Sequence, residues 1–426
     1  MKLLIVIPAL NEEKSIARVI EATLRAREQL LEMPDLHAVD ITVVSDGSTD
    51  GTLSIARRYS DRIHLIAFEK SRGYGAAILE AWRKSDADLL AFLDADGTCE
   101  PESFPLLYQR LRETGADMVL GNRMHRKSHM PWLRRLGNRF FALLLRGLAS
   151  RPIRDTSSGM RIVRRTALEK VAPLPSGLHF TPAMTARALL RKGLKIVEVD
   201  IPYGSRTGRS KLRLRDDSFK FLFAILDAAF LFRPARLFTF AASIMLALAG
   251  FLMIDPATYY IKTRTLQEWM IYRFLVSHFL GTNGILLLCA GIISDRMVLL
   301  TMQKNHTGRT AAGFLMSFLR MRRFWFIQAV ILLLATVLIY PGIQQYLSSG
   351  HIDQHWSRIV VASFLFSLSL ILMVTRLVLH VLNLIEMQLK HDDSPFDGAL
   401  KPSRNGGSVL QSEEGPKVGP PETDAG

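Results

Sequence analysis

The chain of 426 residues predicts an α/β domain followed by a membrane-embedded helical region, and three observations carry that prediction. Short β-branched runs alternate with amphipathic helical stretches through residues 1–120, each run ending in a cluster of polar residues. Four long apolar runs then occupy 237–390. The last stretch turns to Pro, Gly, Ser and Glu.

Taken in order, the first half reads as strand Leu3–Ile7, helix Glu13–Glu32, strand Ile41–Val44, helix Gly51–Tyr59, strand Ile63–Ala67, helix Gly75–Lys84 and strand Leu89–Leu93. Strands alternating with helices predict a parallel sheet covered by helices. Ligands in such sheets sit at the carboxyl ends of the strands. Those ends carry Pro8-Ala9-Leu10-Asn11-Glu12, Asp46-Gly47-Ser48, the Gly73/Gly75 loop and Asp94-Ala95-Asp96. Residues 121–215 continue with a strand at Met118–Leu120, a basic helix over 133–149, a loop Asp155–Arg161, a helix over 181–192, a strand Lys195–Val199 and a basic loop Tyr203–Arg215, and this half is expected to hold the acceptor.

The expected boundaries are a catalytic domain 1–215, an interfacial amphipathic helix 216–236, a transmembrane region 237–390 and a disordered tail 391–426. The helix 216–236 mixes Phe and Leu with Asp216, Asp217, Lys220, Asp227 and Arg233, a composition suited to the bilayer interface. The apolar runs at 237–254, 272–293, 324–343 and 359–384 are each near the length that spans a bilayer as helix. Lys and Arg crowd 204–236 and 294–323 but not 255–271 or 344–357. The positive-inside rule then makes this a multi-pass membrane protein with its catalytic domain in the cytoplasm.

The net charge of +15 and isoelectric point near 10.0 suit a membrane surface and phosphate ligands; no nucleic-acid-binding signature accompanies them, so no nucleic acid is expected as partner. Two cysteines, Cys99 and Cys289, exclude a disulfide framework and fit a reducing compartment. Met1-Lys2 and the apolar run after it resemble the start of a signal peptide, but Pro8 and Asn11-Glu12-Glu13 cut the run short, and a buried first strand is the expectation. A homo-oligomer is compatible with the sequence.

Phe92-Leu93-Asp94-Ala95-Asp96-Gly97 places two carboxylates on alternate residues at a strand end. A hard divalent cation on a diphosphate needs only one or two carboxylates, because phosphate oxygens and water complete its octahedron. In Val44-Ser45-Asp46-Gly47-Ser48-Thr49-Asp50-Gly51-Thr52, one of the hydroxyl or acidic residues caps the next helix. Asp46 lies where a carboxylate can accept from a nucleobase or ribose.

The conjunction of P-A-L-N-E, D-G-S-T-D-G-T, R-G-Y-G-A-A and D-A-D-G-T in this order resembles the family 2 glycosyltransferases, over about the first 215 residues. The resemblance implies a GT-A nucleotide-sugar-binding domain, here followed by a four-helix transmembrane region. Gly121-Asn122-Arg123, Asp155-Thr156-Ser157-Ser158-Gly159-Met160-Arg161 and Arg206-Thr207-Gly208-Arg209-Ser210-Lys211 are most similar to the dolichol-phosphate mannosyltransferase and polyprenyl-phosphate glucosyltransferase branch. That branch implies inverting, metal-dependent transfer of a hexose from a nucleotide-sugar of the GDP-mannose or UDP-glucose type to a dolichyl or undecaprenyl phosphate, with Mg2+ or Mn2+.

Carried across, Pro8, Leu10, Asn11, Glu12, Val44 and Asp46 fall on the nucleoside side. Asp94, Ala95 and Asp96 fall at the diphosphate and metal. Thr98 stands where mannose synthases have a Gln ligand, Ser45 replaces the first Asp of the usual D-D-G-S, and Lys70-Ser71 stands where relatives show an Asn. Arg206 matches a diphosphate-contacting arginine. Arg123, Arg134 or Arg135, and Asn138 fall at the lipid phosphate, with Lys211 beside them. Three alternatives remain. Transfer to diacylglycerol or ceramide would need a general base, for which Asp155 is the candidate. A polysaccharide synthase would carry a Q-x-x-R-W signature, and none of the five tryptophans lies in one. A non-catalytic membrane scaffold would not be expected to keep Glu12, Asp46, Asp94 and Asp96.

Overall fold

The computed structural model describes residues 1–125, 128–149, 151–206, 211, 214–302 and 311–392. Thr207-Gly208-Arg209-Ser210 lie outside them, as does the expected tail 391–426 apart from its first two residues, which are helical. Residues 1–379 form one compact unit.

The chain runs β1 (Lys2–Ala9), α1 (Ile16–Leu31), β2 (Ala38–Asp46), α2 (Thr52–Arg57), β3 (His64–Phe68), α3 (Tyr74–Arg83), β4 (Leu89–Leu93), α4 (Phe104–Thr114), β5 (Met118–Asn122), α5 (Trp132–Ala149), β6 (Met160–Arg164), α6 (Arg165–Val171), α7 (Phe180–Leu190) and β7 (Ile196–Asp200). All seven strands join one sheet in the order β3-β2-β1-β4-β6-β5-β7. In β1 the two-residue period of a strand sorts side chains into two cores. Leu4 and Val6 pack on one face with Trp82, Phe92 and Phe180. Leu3, Ile5 and Ile7 pack on the other with Ile16, Val19 and Phe104. Burial on both faces is why the central strands read as unbroken apolar runs.

Strands β1–β4 pair in parallel as expected, and beyond them the sheet becomes mixed. β6 runs antiparallel to both β4 and β5, with Ala91 opposite Ile162 and Val119 opposite the same residue. The Asp155–Arg161 stretch read as loop therefore ends in a central strand. Two arginines in Met160–Arg164 disguise it. Arg161 is fully buried, its guanidinium lying 5.3 Å over the Phe92 ring and donating to Ser158 O at 2.7 Å and to Thr185 Oγ1 at 3.2 Å. Burial pushes its pKa down to about 10. Helix α4, which covers β5, was also not expected.

After β7 come α8 (Leu214–Phe232), α9 (Pro234–Thr263), α10 (Ile271–Met302), α11 (Ala311–Arg320), α12 (Phe324–Ser349) and α13 (Trp356–Asp392). Four helical stretches, Pro234–Thr263, Glu268–Thr301, Phe324–Ser349 and Trp356–Met387, are long and apolar enough to cross a membrane. α9 and α10 pack closely because Gly284 and Gly291 of α10 face Leu246 and Phe238 of α9 with no room for a side chain between them. α8 is apolar on two sides. Ala224, Ile225, Ala228 and Ala229 are buried in the core, while Phe219, Phe223 and Phe230 are exposed.

Trp82 is the largest side chain of the core that supports the site-bearing strand, with its ring 6.0 Å from Phe92 and 5.9 Å from Phe180. Trp82→Ala is expected to cost about 3–5 kcal/mol. Thermal unfolding of the detergent-solubilised protein checks this, and an unchanged Tm would contradict it.

Candidate active site

Strands β2, β1 and β4 are neighbours in the sheet, so their carboxyl ends bring Asp46, Leu10–Glu12 and Asp94–Asp96 together. Asp46 accepts from Arg72 N at 2.6 Å, Gly73 N at 3.0 Å and Ser71 Oγ at 2.8 Å. It anchors the glycine-rich loop, and Gly73 allows that loop its φ of +105°. A carboxylate offers about four acceptor positions, so little is left for a nucleobase. Asn11 braces the neighbouring loop, accepting from Thr49 N at 2.8 Å. Val44 lies wholly in the core and does not line the cavity.

The Asp94–Asp96 turn is held by Ser15 Oγ, which donates to Ala95 O at 2.7 Å. Asp94 accepts a 2.6 Å hydrogen bond from the Tyr74 hydroxyl. Burial, with Asp96 adding to it, raises the Asp94 pKa to about 6. Thr98 donates to Asp96 from its backbone N at 3.1 Å and its hydroxyl at 2.6 Å. The Thr98 hydroxyl thus orients Asp96. On its other oxygen, Asp96 meets Arg206 NH1 at 3.2 Å. Arg206 also pairs with Glu12 at 3.0 Å, and Lys211 Nζ reaches the same Glu12 oxygen at 2.6 Å. The chain arrives there because Tyr203 bridges to Cys99 and Gly204 N donates to Thr98 O at 2.8 Å.

On the opposite side, Arg123 at the end of β5 is locked to Asp155. Its Nε lies 2.7 Å from Oδ2 and its NH2 3.0 Å from Oδ1, with a further bond from NH2 to Ser157 O at 2.6 Å. Asp155 is fully buried and also accepts from Arg123 N, Asn138 Nδ2 and Ser157 N. Burial alone would raise its pKa, but Arg123 and these donors outweigh that and lower it. Both Asp155 oxygens are thus engaged by these donors, an arrangement that suits a structural anchor better than the base role weighed from sequence. Asn138 is equally committed, its Oδ1 accepting from Thr156 N and Oγ1. Arg134 lines the cavity, whereas Arg135 turns to Ser128 O at 2.9 Å.

A cavity of about 530 Å³ connects the two sides, lined by Pro8, Leu10, Glu12, Asp46 and Asp94–Asp96 at one end and by Arg123, Arg134, Asn138 and Phe141 at the other. Sequence reasoning missed Tyr74, His179 and Lys220, which line it as well. Only the R-G-Y-G motif could have flagged one of them. Burial, then the nearby Lys220, lower the pKa of His179, against a smaller opposing effect of Asp217, so its imidazole is neutral at pH 7. For a divalent cation, Asp94 and Asp96 supply hard oxygen ligands of the right kind. No group of three His, Cys, Asp or Glu able to hold a metal occurs among the described residues. The protein groups suit an ion that shares its shell with phosphates.

Asp155→Asn would leave Arg123 buried without its counter-charge, at an expected cost of about 3–5 kcal/mol. Because the folded carboxylate pKa is lowered, the stabilisation is present above the unfolded value near 3.9 and is lost as pH falls through the folded one. Unfolding of wild type and variant is expected to differ by a constant margin from about pH 5 to 8 and to converge in stronger acid.

Residues 4–172 match the family described as Glycosyl transferase family 2. Dolichyl-phosphate hexose transferase of Haloferax volcanii is 32% identical over 216 residues, which are 49% of this chain and 86% of that protein. Low-salt glycan biosynthesis hexosyltransferase Agl6 of the same organism is 32% identical over 220 residues, 51% of each, so the chain spans about half the length of that relative. Undecaprenyl-phosphate 4-deoxy-4-formamido-L-arabinose transferase of Proteus mirabilis is 29% identical over 261 residues, 59% of this chain and 74% of that protein. With its mixed sheet and strand-end Asp94-Ala95-Asp96, the chain belongs to glycosyl transferase family 2 and has the GT-A fold.

Proposed function

We propose that the protein transfers a hexose from a nucleotide-sugar to a polyprenyl phosphate at a membrane face, with inversion at the anomeric carbon. The observation that carries the reading is the cavity itself, which joins the strand-end carboxylates to a basic, partly apolar far end at α5 and α8. The names of the Haloferax and Proteus relatives, which specify dolichyl and undecaprenyl phosphate, support it.

A phosphate monoester has a second pKa near 6, so at neutral pH the acceptor is an anionic nucleophile and needs no base. The locked Asp155 fits that requirement. Pro8, Leu10 and Ala95 shape the donor end, while Arg206 and Lys211, now paired with Glu12 and Asp96, are the cations that stabilise the departing nucleoside diphosphate. Mg2+ or Mn2+, held by Asp94 and Asp96 with Thr98 behind Asp96, would neutralise charge on that leaving group. Arg134 receives the lipid phosphate, and Arg123 with Asn138 frames the pocket beneath it. Placement of the phosphate oxygen in line with the anomeric carbon supplies the rest of the rate enhancement.

The apolar faces fit a lipid substrate. Trp132, Leu136, Phe140 and Leu143 are exposed on α5, as are Phe219 and Phe223 on α8. Phe141 and Phe221 join the two helices at 6.0 Å. These exposed residues are proposed to lie in the bilayer interface, on the cytoplasmic side chosen by the charge asymmetry of the loops. A second reading, transfer to a lipid hydroxyl such as that of diacylglycerol, is favoured only by the neutral His179 in the cavity, which would serve as its base.

Membranes containing the protein, given radiolabelled GDP-mannose or UDP-glucose, are expected to label polyprenyl phosphate and not diacylglycerol. Label on diacylglycerol that disappears in His179→Ala would move the assignment to the second reading. Asp96→Ala is expected to bring transfer to background, and retained metal-dependent activity would sink the metal role of Asp96. Mn2+ is expected to bind the protein weakly alone and tightly only with nucleoside diphosphate, as the sparse protein ligand set implies.

A further inference from the structure

We infer that Tyr74 is a positioning residue for the donor site, its hydroxyl setting the orientation of the Asp94 carboxylate. The inference rests on the proposed role of Asp94 at the metal and diphosphate. Tyr74 is the first residue of α3, and the start of that helix is pinned where Ala76 N donates to Ser176 O at 3.0 Å. Its ring stands edge-on to Phe92 at 6.3 Å and to Phe180 at 6.4 Å. Phe92 and Phe180 in turn lie 5.8 Å apart and both touch Trp82. The phenol is aimed by packing and has little freedom to turn away.

What it is aimed at is one oxygen of Asp94. The 2.6 Å separation from Oδ1 is that of a charge-assisted hydrogen bond. Gly159 closes the other side. Its backbone O accepts from Asp94 N at 3.1 Å, and a side chain at 159 would collide with Asp94 Oδ2. The carboxylate is thereby clamped between a hydroxyl and a bare backbone. Among the described residues Tyr74 is the hydrogen-bond donor to this carboxylate, so its hydroxyl holds Oδ1 while Gly159 backs Oδ2. Neighbouring Asp96 is oriented in a parallel way by Thr98, so each carboxylate of the pair has its own hydroxyl. Partners of this kind change metal affinity or activity by about 10–100-fold when removed.

Tyr74→Phe keeps the ring in its aromatic setting and removes only the hydroxyl. The test is Mn2+ binding to the purified full-length protein, followed by electron paramagnetic resonance with saturating UDP and, separately, GDP. The variant is expected to raise the Kd for Mn2+ by about tenfold or more, with Tm and metal-free nucleotide binding close to wild type. On an Asp94→Asn background the same change is expected to add nothing, since the hydroxyl acts through Asp94. Wild-type binding with an unchanged Tyr74→Phe variant, or losses that add in the double variant, would overturn the inference alone. Absence of Mn2+ binding by the wild type with either nucleotide would overturn the metal reading and this inference with it.

Discussion

The buried Arg123–Asp155 pair is the constraint on which the α5 end of the site depends. A charge taken out of water must be paired and fully hydrogen-bonded, and breaking such a pair costs far more than replacing it with apolar groups. Here the pairing is complete. Asp155 gathers the end of β5 through Arg123, α5 through Asn138, and its own loop through Ser157. Thr156 returns to Asn138, and Thr185 of α7 donates to Thr156 O at 2.8 Å. One carboxylate thus sets the relative positions of a strand end, two helices and a loop, and through the loop it sets Gly159 beside Asp94.

The strand-end side of the site is built differently. Asp46, Asp94 and Asp96 each sit at a strand end, and each is oriented by a short-range donor: the Ser71–Gly73 loop, Tyr74 and Thr98. The sheet provides the positions and the loops provide the aim. Asp96 and Glu12 carry in addition the basic pair Arg206 and Lys211, brought over by the bridge between Tyr203 and Cys99.

Much of this was legible in the sequence because strand-end chemistry is local. The alternation of strands and helices located Asp46, Glu12, Asp94 and Asp96 at one edge, and the apolar runs located the four long helices. What was not legible depended on distant partners. β6 was hidden because Arg161 is buried through contacts with Phe92, Ser158 and Thr185, which no strand pattern announces. Asp155 looked like a candidate base until its carboxylate's partners Asn138 and Arg123, 17 and 32 residues away, were in place. The choice between Arg134 and Arg135 turned on helix orientation. α5 read as a basic helix, and Arg139 and Arg146 are indeed exposed, but they share that face with Trp132, Leu136, Phe140 and Leu143, while Arg134 and Arg135 are half-buried.

The mutual pairing of Glu12 and Asp96 with Arg206 and Lys211 bears on selectivity at the door of the site. Two acids and two bases leave these four groups balanced, so together they exert little pull on a stray phosphate or other small anion. A sugar nucleotide accompanied by a divalent cation is itself nearly neutral. Under the proposed function, the cation would take the acids and the diphosphate the bases, so the resting pairs would be exchanged without any charge being stranded.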